Sequence, residues 1–126
     1  MKKQLLAVIE LGGYPNFVPL YESMGFEVTM ANSVRNAIRS IKKIKPQVVV
    51  AEFNFQSDFR DRTSSLESLL STVQRLEQCE AIVFYEQEFA HQLEKLTAQY
   101  PINTVLSFPI EEASLKTALQ NISNSE

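Results

Sequence analysis

Four short apolar runs, LLAVI (5–9), VVVA (48–51), AIVF (81–84) and the less regular TVLSF (104–108), are spread along the chain with helical patterns between them. Unbroken apolar runs of this length suit strands covered on both faces, as in a parallel sheet layered between helices. A fifth run, FEVTM (26–30), alternates and places Phe26, Val28 and Met30 on one side, which suits an edge strand.

The intervening segments read as helices. Residues 33–45 set Val34, Ala37, Ile38, Ile41 and Ile44 at helical spacing, with Asn32 or Ser33 as cap and Pro46 as the stop. Residues 64–77 put Leu66, Leu69, Leu70, Val73 and Leu76 on one stripe, capped by Thr63 or Ser64, and 87–99 carry Phe89, Leu93 and Leu96 ahead of Pro101. The last helix, about 111–122, opens on Glu111 and Glu112, whose charges suit a helix N-terminus, and buries Leu115, Ala118, Leu119 and Ile122. In the first connection a helix begins near Asn16, because Pro19 then falls in its first turn, where the missing N–H costs little. The pattern is (βα)5, an α/β chain on one five-stranded, doubly wound parallel sheet. Right-handed crossovers and the edge-like second strand give the flavodoxin-like order 2-1-3-4-5.

The 126 residues fit one domain, 1–122, with 123–126 as a frayed tail. The net charge of −3 supplies no global basic field, so neither nucleic acid nor an anionic membrane is an expected partner. One cysteine, Cys79, excludes an internal disulfide, and with a single His91 it leaves too few ligands for most zinc or copper sites. The opening MKKQLLAVIELGG has too short an apolar core for a secretory leader and is interrupted by Glu10, so it reads as a first strand of a cytoplasmic protein.

In an open parallel α/β sheet, ligands gather at the carboxyl ends of the strands where the order reverses. Those ends carry Glu10, Glu52, Tyr85–Glu86 and Phe108–Pro109. Glu52 is the anomaly, since VVVAEFNF drives a carboxylate toward the interior. The whole chain resembles the receiver domain of bacterial response regulators, the CheY-like family. MGFEVTMANSVRNAIRSIKKIKPQVVVAE (24–52) matches that family's second strand, second helix and third strand, and LSFPIEEASLKTALQNI (106–122) matches its last strand and helix.

The resemblance implies a fold, and also a set of chemical positions that this sequence does not fill in the family's way. Where receivers carry an acidic pair at the end of strand 1, this chain has Ile9–Glu10. Where they carry the phosphoacceptor aspartate it has Glu52, in place of the hydroxyl residue ending strand 4 it has Tyr85, and in place of the lysine before Pro109 it has Phe108. Phosphoryl transfer needs Mg²⁺ and a cation to neutralise charge spreading over the transferred oxygens, and two glutamates without a lysine cradle that charge poorly. The expectation is a degenerate, phosphorylation-independent pseudo-receiver: not an enzyme, without a cofactor, serving as a single-domain interaction module in signal transduction.

The resemblance also implies a contact face, helix 4–strand 5–helix 5 (about 87–122), for homodimerisation or for a protein partner such as a regulator or effector. A second candidate is the extended loop 53–63, within a stretch FNFQSDFRDRTSS (53–65) longer than the family's loop by roughly five residues, with Phe53, Phe55, Phe59, Arg60 and Arg62 as contact residues. Within it, Arg60 or Arg62 is also placed to fold back and neutralise Glu52 and Glu10. Two rival readings stay open. One keeps a residual Mg²⁺ and phosphoryl site at Glu10 and Glu52, since hard cations favour carboxylates. The other is a small-ligand sensor built on an aromatic rim of Phe53, Tyr85 and Phe108.

The remaining features read plainly. Arg35, Arg39, Lys42, Lys43 and Lys45 make the second helix basic, as a solvated face. ELGGY (10–14) is not a dinucleotide-binding glycine motif, His91 has no nucleophile at triad spacing, and Cys79 precedes a buried strand as a structural residue.

Overall fold

The computed structural model describes residues 3–9, 16–53, 66–76, 79–100 and 102–124. Its elements run β1 (Lys3–Val8), α1 (Val18–Ser23), β2 (Phe26–Ala31), α2 (Val34–Ile44), β3 (Val48–Glu52), α3 (Leu66–Gln74), β4 (Glu80–Tyr85), α4 (Ala90–Thr97), β5 (Thr104–Ser107) and α5 (Glu112–Asn124). All strand pairs are parallel, in the order β2-β1-β3-β4-β5. The five strands and their order are those read from the sequence.

Strand alternation divides the core in two. On one face Leu6, Val8, Val49, Ala51 and Val83 meet Val34, Ala37 and Ile41 of α2, Leu69, Leu70 and Val73 of α3, and Leu93 and Leu96 of α4. On the other, Leu5, Ala7, Val48, Val50, Ile82 and Phe84 meet Leu20 and Tyr21 of α1 and Leu115, Ala118, Leu119 and Ile122 of α5. Every residue of β3 is buried, as its central place requires.

Local chemistry sets the helix ends. The Ser33 side chain caps α2 by accepting from the Asn36 N–H at 3.1 Å. Lys45 closes the same helix in the left-handed region (φ 47°), and Pro46 follows. Asn16 Oδ1 accepts from the Val18 N–H at 3.1 Å, and Pro19 lies in the first turn of α1, where its missing donor costs nothing. Gly25 turns the chain from α1 into β2 at φ +90°, a conformation that other residues adopt only with strain.

Three details differ from the expectation. The segment 87–99 is not one helix: a 3₁₀ turn over Gln87–Phe89, closed by a bond from the Phe89 N–H to the Glu86 carbonyl (2.8 Å), precedes α4. The last helix starts at Glu112 and runs on to Asn124. On β2, Phe26 is buried but Met30 on the same side is 49% exposed, because that apolar face extends beyond the helix covering it.

Candidate functional site

The carboxyl ends of the central strands are held level by backbone bonds that prolong the sheet. The Ile9 N–H donates to the Ala31 carbonyl (2.9 Å), that of Phe53 to Phe84 (2.7 Å) and that of Phe108 to Tyr85 (2.9 Å). Ile9, Glu52, Tyr85 and Phe108 therefore all lie along one end of the sheet. Glu10, Phe55, Phe59, Arg60 and Arg62 lie outside the described residues, and so does any pairing of those arginines with Glu52.

Glu52 ends β3 in register with Phe84 of β4. It is 7% exposed, and among the described residues no other charged side chain is buried. A carboxylate so placed loses most of its hydration and depends on neighbouring groups for its stability. The next acidic residues along this end, Glu86 and Glu88, are exposed, and the Glu86 carboxyl is pushed up, first by its hydrogen bond with Glu88 and then by partial desolvation and the neighbouring charge. Among the described residues, the strand ends (Ile9, Glu52–Phe53, Tyr85–Glu86, Ser107–Pro109) hold carboxylates and no lysine or arginine.

Phe108, which the resemblance sets in place of the family's lysine, is an aromatic packing residue. Its ring meets that of Phe84 edge to face at 6.4 Å, and Phe84 meets Phe17 in the same manner at 6.1 Å. The peptide joining Phe108 to Pro109 is cis. The row Phe17–Phe84–Phe108 seals the α1/α5 face beneath the strand ends, a packing role that the position-by-position reading missed. Its signal in the sequence was that Phe84 and Phe108 both end apolar runs.

Tyr85 is half-buried against the opposite core, and its hydroxyl donates weakly to Gln87 Oε1 at 3.5 Å, at the exposed mouth. Phe53 is 7% exposed and belongs to that same core, with Leu69 and Val83. This corrects two expectations. Phe53 is not available as a contact residue of an exposed loop, and Phe53, Tyr85 and Phe108 do not form one rim, because the first two pack on one side of the sheet and the third on the other.

The family fold implies Mg²⁺, and the donor set tests the fit. Mg²⁺ requires near-octahedral oxygen coordination. At the described strand ends the acidic-pair position Ile9 offers no side-chain oxygen, and Glu52 is the one buried carboxylate. No group of three or more His, Cys, Asp or Glu residues converges among the described residues. The described donors alone do not fit the ion, and Glu10 lies outside the described residues.

His91 is on the surface, 3.7 Å from Glu94 one helical turn on. Cys79 is half-buried just before β4, and its thiol is pushed up to about 12, by burial first and by the Glu80 charge second. Neither belongs to the strand-end site. No described helix is long and apolar enough to cross a membrane.

No protein-family model and no curated protein sequence matches the chain. Solved structures do. A CheY-like response regulator receiver domain from Methylobacillus flagellatus superposes with a TM-score of 0.75 at 21% identity, covering 97% of this chain and 99% of that one. CheY4, a chemotaxis response regulator of Vibrio cholerae, gives 0.74 at 16% identity over 97% and 99%. The receiver domain of a Pseudomonas aeruginosa sensor histidine kinase, solved with magnesium in its active-site cleft, gives 0.70 at 19% identity over 98% and 100%. This chain has the CheY-like fold of response-regulator receiver domains.

Proposed function

We propose that the protein is a pseudo-receiver: a signalling module that works without phosphorylation, is not an enzyme, and acts by binding another protein. The observation that carries this reading is the Phe108–Phe84 contact, which fills the place of a phosphate-neutralising cation with an apolar pair. The buried Glu52 and the absence of a described cation at the strand ends add to it. In this reading Glu52 is a fixed negative charge that holds one state of the fold, where a phosphorylatable aspartate would switch between two.

The face proposed for the partner is α4–β5–α5. β5 is the outer strand on that side, and its Val105 is 38% exposed, one of two large apolar residues so exposed among the described residues. An outer strand carrying an exposed branched apolar residue between two helices suits a protein contact or a homodimer. Placement in the cytoplasm and a bacterial signalling context belong to the same proposal.

The test is an amide NMR titration with Mg²⁺ followed by beryllofluoride. The expected result is a flat response at Ile9, Glu52 and Tyr85. Saturable shifts there would restore the phosphoryl-accepting reading and overturn this one.

A further inference from the structure

The opposite edge of the sheet has its own groove. It lies between β2, the other outer strand, and α2, has a volume of about 480 Å³, and is lined by Met30, Asn32, Asn36, Arg39, Ser40 and Lys43, with Ala31 at its base. Arg39 and Lys43 stand one turn apart on α2, so their charges project together. Asn32 and Asn36 are preorganised beside them by a 2.8 Å bond from Asn36 Nδ2 to Asn32 Oδ1.

The charge of the groove lining is basic, and Glu27, the one acidic residue of β2, accepts from Gln4 Nε2 at 3.2 Å. Between Glu27 and Glu52 the chain carries Arg35, Arg39, Lys42, Lys43 and Lys45 and no acidic residue, against a net charge of −3 for the whole. Arg39 and Lys43 make no ion pair with any described residue. A solvated face accounts for scattered lysines. It does not account for a basic groove at the carboxyl end of an outer strand whose outward amide and carbonyl groups no described strand pairs.

We infer that this groove docks an acidic, extended segment of a partner protein, which adds to the β2 edge while its carboxylates reach Arg39 and Lys43. The chemistry selects this occupant over two others. An open groove leaves a small ligand mostly in water, whereas small-molecule sites bury most of their ligand. A nucleic acid strand needs aromatic stacking platforms, and no aromatic residue lines the groove. A strand-forming peptide gains backbone hydrogen bonds from the edge and charge-assisted ones from α2. The inference is independent of the pseudo-receiver reading, which concerns the strand ends and the β5 side.

The experiment uses the full chain and a fluorescein-labelled peptide of alternating glutamate and valine, seven residues long, followed by anisotropy and by amide shifts. Binding should shift the amides of residues 28–43, weaken with added salt, and drop about tenfold in Arg39→Glu/Lys43→Glu, since two attractions become two repulsions. Arg75→Glu, just past α3 and outside both the groove and the α4–β5–α5 face, should bind as wild type does. The same peptide with alternate amides N-methylated should bind more weakly, because the edge ladder is lost. No binding at millimolar peptide, undiminished binding to the doubly reversed variant, equal binding of the N-methylated peptide, or tighter binding of an oligothymidine of similar length would each overturn the proposal.

Discussion

The rings of Phe84 and Phe108 meet edge to face, with centroids 6.4 Å apart and planes at 74°. Phe84 is fully buried and pairs in register with Glu52, so one aromatic contact ties the last residue of β3 to the end of β5 through β4. Phe108, half-buried, thus packs against the α1/α5 core.

Phe108→Lys should therefore damage the fold without creating a phosphate site. The lost ring contact and the desolvated ammonium together should cost about 1–3 kcal/mol. Urea unfolding measures this, and an unchanged midpoint would show that Phe108 does not support the core.

Glu52→Asp restores the residue type that receivers phosphorylate, yet should remain unmodified after incubation with acetyl phosphate and Mg²⁺, because Ile9, Tyr85 and Phe108 are unchanged. Intact-mass spectrometry reads the outcome. A phosphorylated adduct on the aspartate would mean that a single methylene had silenced the site.

The ends of α2 offer two opposed tests. Ser33→Ala removes the acceptor for the Asn36 N–H and should destabilise by about 1 kcal/mol. Lys45→Gly relieves a left-handed residue and should stabilise by up to about 1 kcal/mol, once the greater freedom of the unfolded chain is set against the relief. Thermal melts moving in the same direction for both would contradict the capping geometry.

Cys79 gives a pH signature. Its folded thiol is raised from 9.0 to about 12, so above pH 9 the unfolded chain loses the thiol proton that the folded chain keeps. The thiol's contribution to stability is full below pH 9 and is lost as pH rises from 9 to about 12. Buried Tyr21 is shifted the same way by desolvation. Denaturation midpoints should fall over this range and fall less in Cys79→Ala; equal slopes for the two proteins would count against the buried thiol.

The sheet was legible because each central strand is a continuous apolar run, which only two covered faces explain, and because Phe26 and Val28 alternate as an outer strand should. Period also located α2 closely, since Ser33 and Pro46 bracket it. Periodicity assigns a side chain to a face, however, and not to a neighbour. It gave no sign that Met30 extends past its covering helix, that Phe53 turns into the core in place of lining a loop, or that Phe84 and Phe108 touch. The Ile9, Glu52, Tyr85 and Phe108 positions came from likeness to a family, and the structure sets them along one end of the sheet. What those residues do there depends on packing and field, which no single position encodes.

The pairing of β1 with β3 bears on how the chain assembles. The Gln4 N–H donates to Gln47 Oε1 at 2.6 Å and the Gln47 N–H returns a bond to the Gln4 carbonyl at 2.9 Å, across a sequence separation of 43 residues. The innermost seam of the sheet thus joins segments made far apart in time as the ribosome extends the chain. Until β3 emerges, the LLAV strand has only β2 beside it and shows its other edge to solvent and to neighbouring nascent chains. Closing that seam is the long-range step that should set the folding rate, and the interval before it is when this small protein is most exposed to aggregation.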